Sequence, residues 1–171
     1  MTAGEGAASH GFLGEEFLTW LWFRWETDGG EFTLSGGRVV GVALDDFLTF
    51  AAPTDDETEQ TLRRGLPTRT AEARVALRQG RRLRKARMLV AKGERQWSTT
   101  LDAPTMTLSG VRLPADAEDC ESDADRTADR AANWLALHEL VQSLYARFLA
   151  ERRAPDYRAT VADSQANWMA G

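Results

Sequence analysis

The feature of this sequence that most constrains its fold is an aromatic segment near the N-terminus, GFLGEEFLTWLWFRWE. Three phenylalanines and three tryptophans lie between Phe12 and Trp25, and neither glycine nor proline interrupts residues 15–26. The apolar residues recur at the spacing of a helix, which predicts a helix over residues 14–26. Because the apolar arc is wide, this helix needs cover on two sides, from a sheet and from a second helix.

Most of these aromatic side chains are therefore expected in the core of the domain. A second interpretation keeps part of the segment at the surface, as a platform for bases or for a partner, with Trp20, Trp22 and Trp25 at the interface. A membrane role is disfavoured, since charged residues interrupt the segment and its polar face is not basic.

The strand-rich part of the chain follows. Residues 31–50 predict a three-stranded meander with turns at 35–37 and 45–46, and residues 57–64 predict a fourth, exposed strand. Residues 83–101 predict a hairpin that turns at Lys92, Gly93 and Glu94, although Leu83, Ala86 and Val90 in its first arm also fit the period of a helix. One face of its second strand is expected to carry Arg95, Trp97, Thr99 and Leu101.

Two further helices are predicted on either side of that hairpin. The first is short, with Thr70 as its N-cap and Gly80 after its end. The second covers residues 127–153, and Pro155 stops it. Its apolar stripe is expected to face the core through Trp134, Leu137, Val141, Leu144, Tyr145 and Phe148.

These elements predict one α+β domain, in which a mostly antiparallel sheet is packed by the N-terminal aromatic helix and the long C-terminal helix. We expect residues 1–11 to form a flexible leader, residues 12–158 the domain, and residues 159–171 a tail whose pattern suits a short helix. Residues 114–129 carry seven acids against Arg126 alone, which predicts a mobile acidic loop.

The charge of the chain is distributed unevenly. The net charge is −5, but the span from Arg63 to Arg95 holds twelve Lys and Arg against Glu72 and Glu94, a local charge of +10. A cluster of this density predicts a basic face that can neutralise phosphates. The residues that we expect to bind nucleic acid are Arg78, Arg81, Arg82, Arg84, Lys85, Arg87, Arg63 and Arg64.

Two other interpretations of the basic cluster stay open at this stage. The cations can pair with the acidic loop of the same chain, or they can meet an acidic protein partner. The sequence has no zinc-finger, basic-zipper or RRM signature that would read bases in a groove.

Evidence for an enzyme is weak. Cys120 lies among four acids, which disfavour a thiolate nucleophile, and His138 lies beside the apolar stripe of the long helix. One cysteine and two histidines cannot build a disulfide framework or a usual zinc cluster. We therefore expect no enzymatic activity, no metal and no cofactor. The chain start lacks the pattern of a signal peptide, and no segment is apolar enough to span a membrane, which favours a cytoplasmic protein. The predicted binding of DNA would place it at the nucleoid.

The order of features resembles the C-terminal half of recombination-associated RdgC-type proteins. The resemblance covers roughly residues 12–158 and depends on the EFLTWLW helix, the TLSGVRLP strand and the terminal helix LHELVQSLYARFLAERRAPDY. It implies a non-enzymatic protein that binds duplex DNA without sequence preference and that acts with recombination proteins. Whether the chain forms a homodimer stays open. The alternative is an interaction or oligomerisation module that uses the aromatic helix and an Arg-rich face for an acidic partner.

Overall fold

The structure is a computed structural model that describes residues 5–51, 59–117 and 122–171. These residues form an α+β fold with a six-stranded antiparallel sheet. The α-helices are α1 (Glu5–Asp28), α2 (Ala71–Arg78), α3 (Asp123–Arg153) and α4 (Asp163–Ala170). The strands are β1 (Glu31–Thr33), β2 (Val39–Phe50), β3 (Gln60–Arg63), β4 (Leu83–Lys92), β5 (Arg95–Asp102) and β6 (Thr107–Arg112).

The strands follow the order β1-β2-β4-β5-β6, and β3 pairs with β2 as well. Strand β4 occupies one edge of β2, while β1 and β3 share the other edge at opposite ends. The hairpin of β4 and β5 turns at Gly93, as predicted, and its register runs without interruption from Lys92 and Arg95 to Lys85 and Asp102.

The prediction of a turn at Asp45 and Asp46 is wrong. Strand β2 continues through both residues, and its pairing with β4 shifts between Leu44 and Leu48. A β-bulge therefore accommodates the acidic pair without ending the ladder. The predicted fourth strand is present as β3, which pairs with residues 47–50 of β2.

The core lies between the helices and one face of the sheet. Alternate residues of β5, among them Trp97, Thr99 and Leu101, are buried on this face, which confirms the predicted alternation. The aromatic residues of α1 meet the same layer, and the Trp20 ring lies 5.3 Å from Phe32 and 5.6 Å from Phe148, measured between ring centroids. The prediction that the aromatic segment is mostly core is confirmed.

The assignment of Trp20 and Trp22 to an interface is wrong. Both side chains are fully buried within this chain, so no partner of the folded protein can contact them. Helix α4 closes over Trp22, because the Trp168 ring packs edge-on at 5.3 Å and its Nε1 donates to Glu26 at 2.9 Å. Trp25 is partly exposed near the end of α1 and packs against the edge of the core.

Helix boundaries differ from the sequence predictions at two places. Helix α1 begins at Glu5, so residues 5–11, expected as a flexible leader, belong to a helix. Helix α3 begins at Asp123, within the expected acidic loop, because Ser122 and Asp125 form a reciprocal capping box. The predicted N-cap Thr70 is confirmed, since its side chain accepts from the backbone of Ala73 at 3.3 Å.

Trp134 does not lie on the buried face of α3, contrary to the predicted stripe. It is 41% exposed and the adjoining Leu135 is 62% exposed, whereas Leu137, Val141 and other residues further along the helix are buried. Buried Asn133 takes the place of Trp134 in the core, where its backbone carbonyl oxygen accepts from the indole Nε1 of Trp97 at 3.0 Å. Within the described ranges, the structure contains no helix suited by length and apolarity to crossing a membrane.

The opposite face of the sheet carries the side chains that point away from the helices. We call it the open face and define it by the following residues, all of which remain partly exposed: Gly41, Ala43, Lys85, Arg87, Leu89, Ala91, Ser98 and Thr100. The open face positions the candidate site.

Candidate nucleic-acid interface

A single row of side chains crosses five strands on the open face. Arg63 of β3 is paired with Phe47 of β2, and the bulge that contains Phe47 lies opposite Arg87 of β4. Arg87 is paired with Thr100 of β5, which is paired with Ser109 of β6. At about 4.8 Å between neighbouring strands, the row extends over about 19 Å.

The row forms the floor of a shallow basin with a volume of about 610 Å³. We call it the cationic basin, and its lining residues are Asp46, Phe47, Arg63, Arg64, Lys85, Arg87, Thr100, Ser109 and Gly110. The bulge in β2 re-aims the side chains that it contains, which brings an aromatic ring and a carboxylate to the same basin.

The four cations of the basin differ in how fully they are paired. Lys85 Nζ lies 3.0 Å from an oxygen of Asp102, and an Arg87 guanidinium nitrogen lies 3.5 Å from an oxygen of Asp46. The Arg63 guanidinium instead lies 4.9 Å from the centroid of the Phe47 ring.

Arg64 is exposed in the turn after β3, at a φ of 73°, and its backbone N–H donates to the carbonyl oxygen of Asp46 at 2.9 Å. Among the described residues, neither Arg63 nor Arg64 has a carboxylate partner. The basin therefore keeps an excess of two positive charges after Asp46 and Asp102 are counted. This excess is what an anionic ligand would meet.

The other four predicted nucleic-acid contacts lie outside the basin. Arg84 pairs with Glu59 at 2.8 Å, and Arg82 pairs with Glu15 of α1 at 3.1 Å. Burial raises the pKa of Glu15, while Arg82 and Arg84 oppose that rise. These two cations thus compensate a buried carboxylate of their own chain.

Arg81 and Arg78 are also separate from the basin. Arg81 lines a cavity of about 260 Å³ among α1, α2 and α4, and Arg78 lines a surface depression near Trp168. The sequence cluster of eight cations is thus divided, and the structure brings together Arg63, Arg64, Lys85 and Arg87.

The described residues of the predicted acidic loop, residues 114–129, do not cover the basin. Asp116 accepts two hydrogen bonds from Arg130 of α3, at 3.0 and 3.1 Å, and these bonds hold the pKa of Asp116 below its usual value. The backbone of Ala117 donates to Asp129 of the same helix at 3.4 Å. Residues 118–121, including Cys120, lie outside the described part.

Sequence reasoning missed the uncharged members of the basin. Phe47, Thr100 and Ser109 belong to three different strands, and only the pairing register reveals that they share a face with Arg87. The available signal was the alternation of β5, which predicted one buried face and so left Thr100 on the other.

Of the two candidate catalytic residues weighed from the sequence, the structure describes His138 alone. His138 packs against the Trp134 ring at 4.7 Å, and its Nδ1 lies 3.1 Å from the carbonyl oxygen of Trp134. Within the described ranges, His, Cys, Asp and Glu side chains form no group of three suited to hold a metal ion.

Comparison with protein-family models, with curated proteins and with solved structures finds no match to this chain. The resemblance to RdgC-type proteins therefore stays a prediction from the sequence.

Proposed function

We propose that this chain is a non-enzymatic protein that binds nucleic acid through the cationic basin, with little preference for sequence. The observation that supports this most directly is the convergence of Arg63, Arg64, Lys85 and Arg87 on one concave surface. Among the described residues, no carboxylate pairs with Arg63 or Arg64. A role with DNA in recombination or DNA maintenance is part of the proposal and depends on the resemblance described above.

The chemistry of the basin suits the sugar-phosphate backbone. Guanidinium and ammonium groups neutralise phosphates, and hydroxyl groups such as those of Thr100 and Ser109 donate to phosphate oxygens. The basin lies on the face of a sheet, whereas direct base readout in duplex DNA usually places a helix or a β-ribbon inside the major groove. Backbone contact without base readout is the basis for expecting sequence tolerance.

The salt dependence of binding tests this proposal. Four phosphate contacts predict a slope of log K against log salt of about −3 to −4. The double substitution Arg63→Gln with Arg64→Gln is expected to reduce the magnitude of that slope by about 2 and to weaken binding at low salt, since each phosphate contact contributes about one unit. Fluorescence anisotropy with labelled DNA at several salt concentrations measures both quantities.

The matched control is the double substitution Arg69→Gln with Arg78→Gln. It removes the same charge from two exposed arginines that do not line the basin. We expect affinity and slope close to those of the wild type. If the control weakens binding as much as the basin variant does, or if the wild type binds no nucleic acid at low salt, the proposal is wrong.

A second candidate function is self-association through α3. The interaction surface is then on α3 and not on the aromatic N-terminal helix, where the sequence predicted it. The exposed pair Trp134 and Leu135 lies within one turn of His138, the middle residue of Asp123–Arg153. A two-fold axis perpendicular to α3 at its middle would let two copies of the helix align antiparallel. The acidic first turn of each helix then faces the last turn of the other, which contains Arg152 and Arg153.

Sedimentation equilibrium tests this candidate. If α3 pairs with a second copy, Leu135→Gln is expected to weaken the dimer at least about tenfold, as burying a leucine at an interface contributes about 1.5–3 kcal/mol. The control Val75→Thr changes another exposed apolar residue, on α2, and should leave the association unchanged. A wild-type protein that stays monomeric at high concentration contradicts the candidate.

A further inference from the structure

The burial of Arg87 in the cationic basin bears on the kind of nucleic acid that the basin can take. The Arg87 side chain is 27% exposed, and its Nε is buried without a hydrogen-bond partner in the structure. A phosphate must enter the basin to reach this guanidinium. The volume of about 610 Å³ gives room for a group of nucleotide size.

A duplex fits such a recess poorly. Its bases are stacked and paired inside the helix, and its phosphates lie on a broad convex surface. A single strand is flexible and can lower one phosphate into a recess while it exposes a base to the protein. The basin therefore favours the single-stranded form on shape alone.

The floor of the basin provides a stacking platform for that base. The Arg63 guanidinium lies over the Phe47 ring at 4.9 Å from its centroid, and both side chains line the basin. Bases of single strands stack on aromatic rings and on arginine guanidinium planes supported in this way. A base that is already stacked in a duplex cannot use this platform.

We propose that the ligand of the cationic basin is a single strand of nucleic acid, with one base stacked on the Arg63 and Phe47 platform and its adjoining phosphates neutralised by the four cations of the basin. The strand continues past Thr100 and Ser109 and so crosses the β-strands of the sheet. This inference depends on the proposed function, because it names the form of nucleic acid that the same basin binds. It departs from the duplex that the sequence resemblance implied.

The test compares a labelled single strand of about a dozen mixed nucleotides with the duplex of the same sequence, by fluorescence anisotropy at low salt. The wild type is expected to bind the single strand at least about tenfold more tightly, which matches the contribution of one stacked base. Phe47→Leu keeps an apolar side chain but removes the support of the platform, and it should weaken single-strand binding about tenfold. Duplex binding should change less than twofold.

Arg63→Lys is the second variant, which keeps the positive charge and does not disturb the packing of the sheet. It removes the planar cation, so the affinity for the single strand is expected to fall while the salt slope stays unchanged. The control Val39→Ala alters an exposed residue of β2 far from the basin along the strand, and should bind as the wild type does.

The outcomes separate the two proposals. Equal or tighter binding of the duplex overturns the single-strand inference and leaves the proposed function standing. Tight single-strand binding that Arg63→Lys leaves unchanged also overturns the inference, because stacking on the guanidinium would then contribute nothing. Absence of binding to either form overturns both.

Discussion

Replacing Trp20 with alanine is expected to lower the free energy of unfolding by about 3–5 kcal/mol, the largest effect of any single substitution that we predict. Trp20 is fully buried at the centre of the aromatic layer, in contact with Phe32 and Phe148. Its indole Nε1 also donates to a carboxylate oxygen of Glu151 at 3.0 Å. The substitution therefore creates a cavity between α1, α3 and the sheet, and it removes a hydrogen bond that joins the two helices.

Urea denaturation followed by far-UV circular dichroism measures this loss, and Trp134→Ala supplies the matched control. That variant deletes the same residue type from α3, where the side chain is 41% exposed. Its expected cost is below about 1 kcal/mol, since surface substitutions seldom exceed that value. Trp20→Phe keeps most of the apolar volume and should fall between the two. Equal losses for Trp20→Ala and Trp134→Ala would contradict the placement of Trp20 in the core.

Local patterns were sufficient for the elements whose formation depends on neighbouring residues. The aromatic helix, the cap at Thr70 and the hairpin at Gly93 all follow from spacing, capping and turn chemistry within a few positions. The alternation of β5 likewise identified its buried face before the sheet was known.

Long-range register was beyond the same reasoning. A pair of aspartates is typical of a turn, and nothing in the sequence shows that β4 pairs on both sides of Asp45 and Asp46 and keeps β2 continuous. The bulge depends on contacts with residues about 40 positions away. It is also what places Phe47 opposite Arg87, so the floor of the basin could not be derived from the sequence.

The division of the basic cluster has the same origin. A run of cations in the sequence becomes a single surface only if strand alternation and tertiary pairing allow it. Lys85 and Arg87 share the open face because they are two residues apart, whereas Arg82 precedes β4 and is drawn to Glu15 of α1. The charge count predicted a basic region, and the register of the sheet selects which of its members can act together.

The second large effect is expected from Gly14→Ala in α1. In an exposed helix this change usually adds up to about 1 kcal/mol of stability, because alanine has the higher helix propensity. Here a Cβ at Gly14 would lie 1.9 Å from the carbonyl oxygen of Ala103 and 2.6 Å from its carbonyl carbon. That backbone is held in place by two backbone hydrogen bonds. The Ala103 N–H donates to the carbonyl oxygen of Arg84 at 2.8 Å, and the Ala103 carbonyl oxygen accepts from the N–H of Met106 at 3.3 Å. We therefore expect a net loss of about 2 kcal/mol or more.

Thermal denaturation should show this loss as a decrease in Tm of about 4–8 °C for a chain of this size. Gly41→Ala is the matched control, since a Cβ there would meet Ala91 at no less than 3.7 Å, an ordinary contact distance. In a strand, this control is expected to leave the Tm unchanged or to raise it slightly. If Gly14→Ala raises the Tm as the helix propensity alone would predict, α1 cannot lie against the Ala103 backbone, and the close packing of helix and sheet described above is wrong at this point.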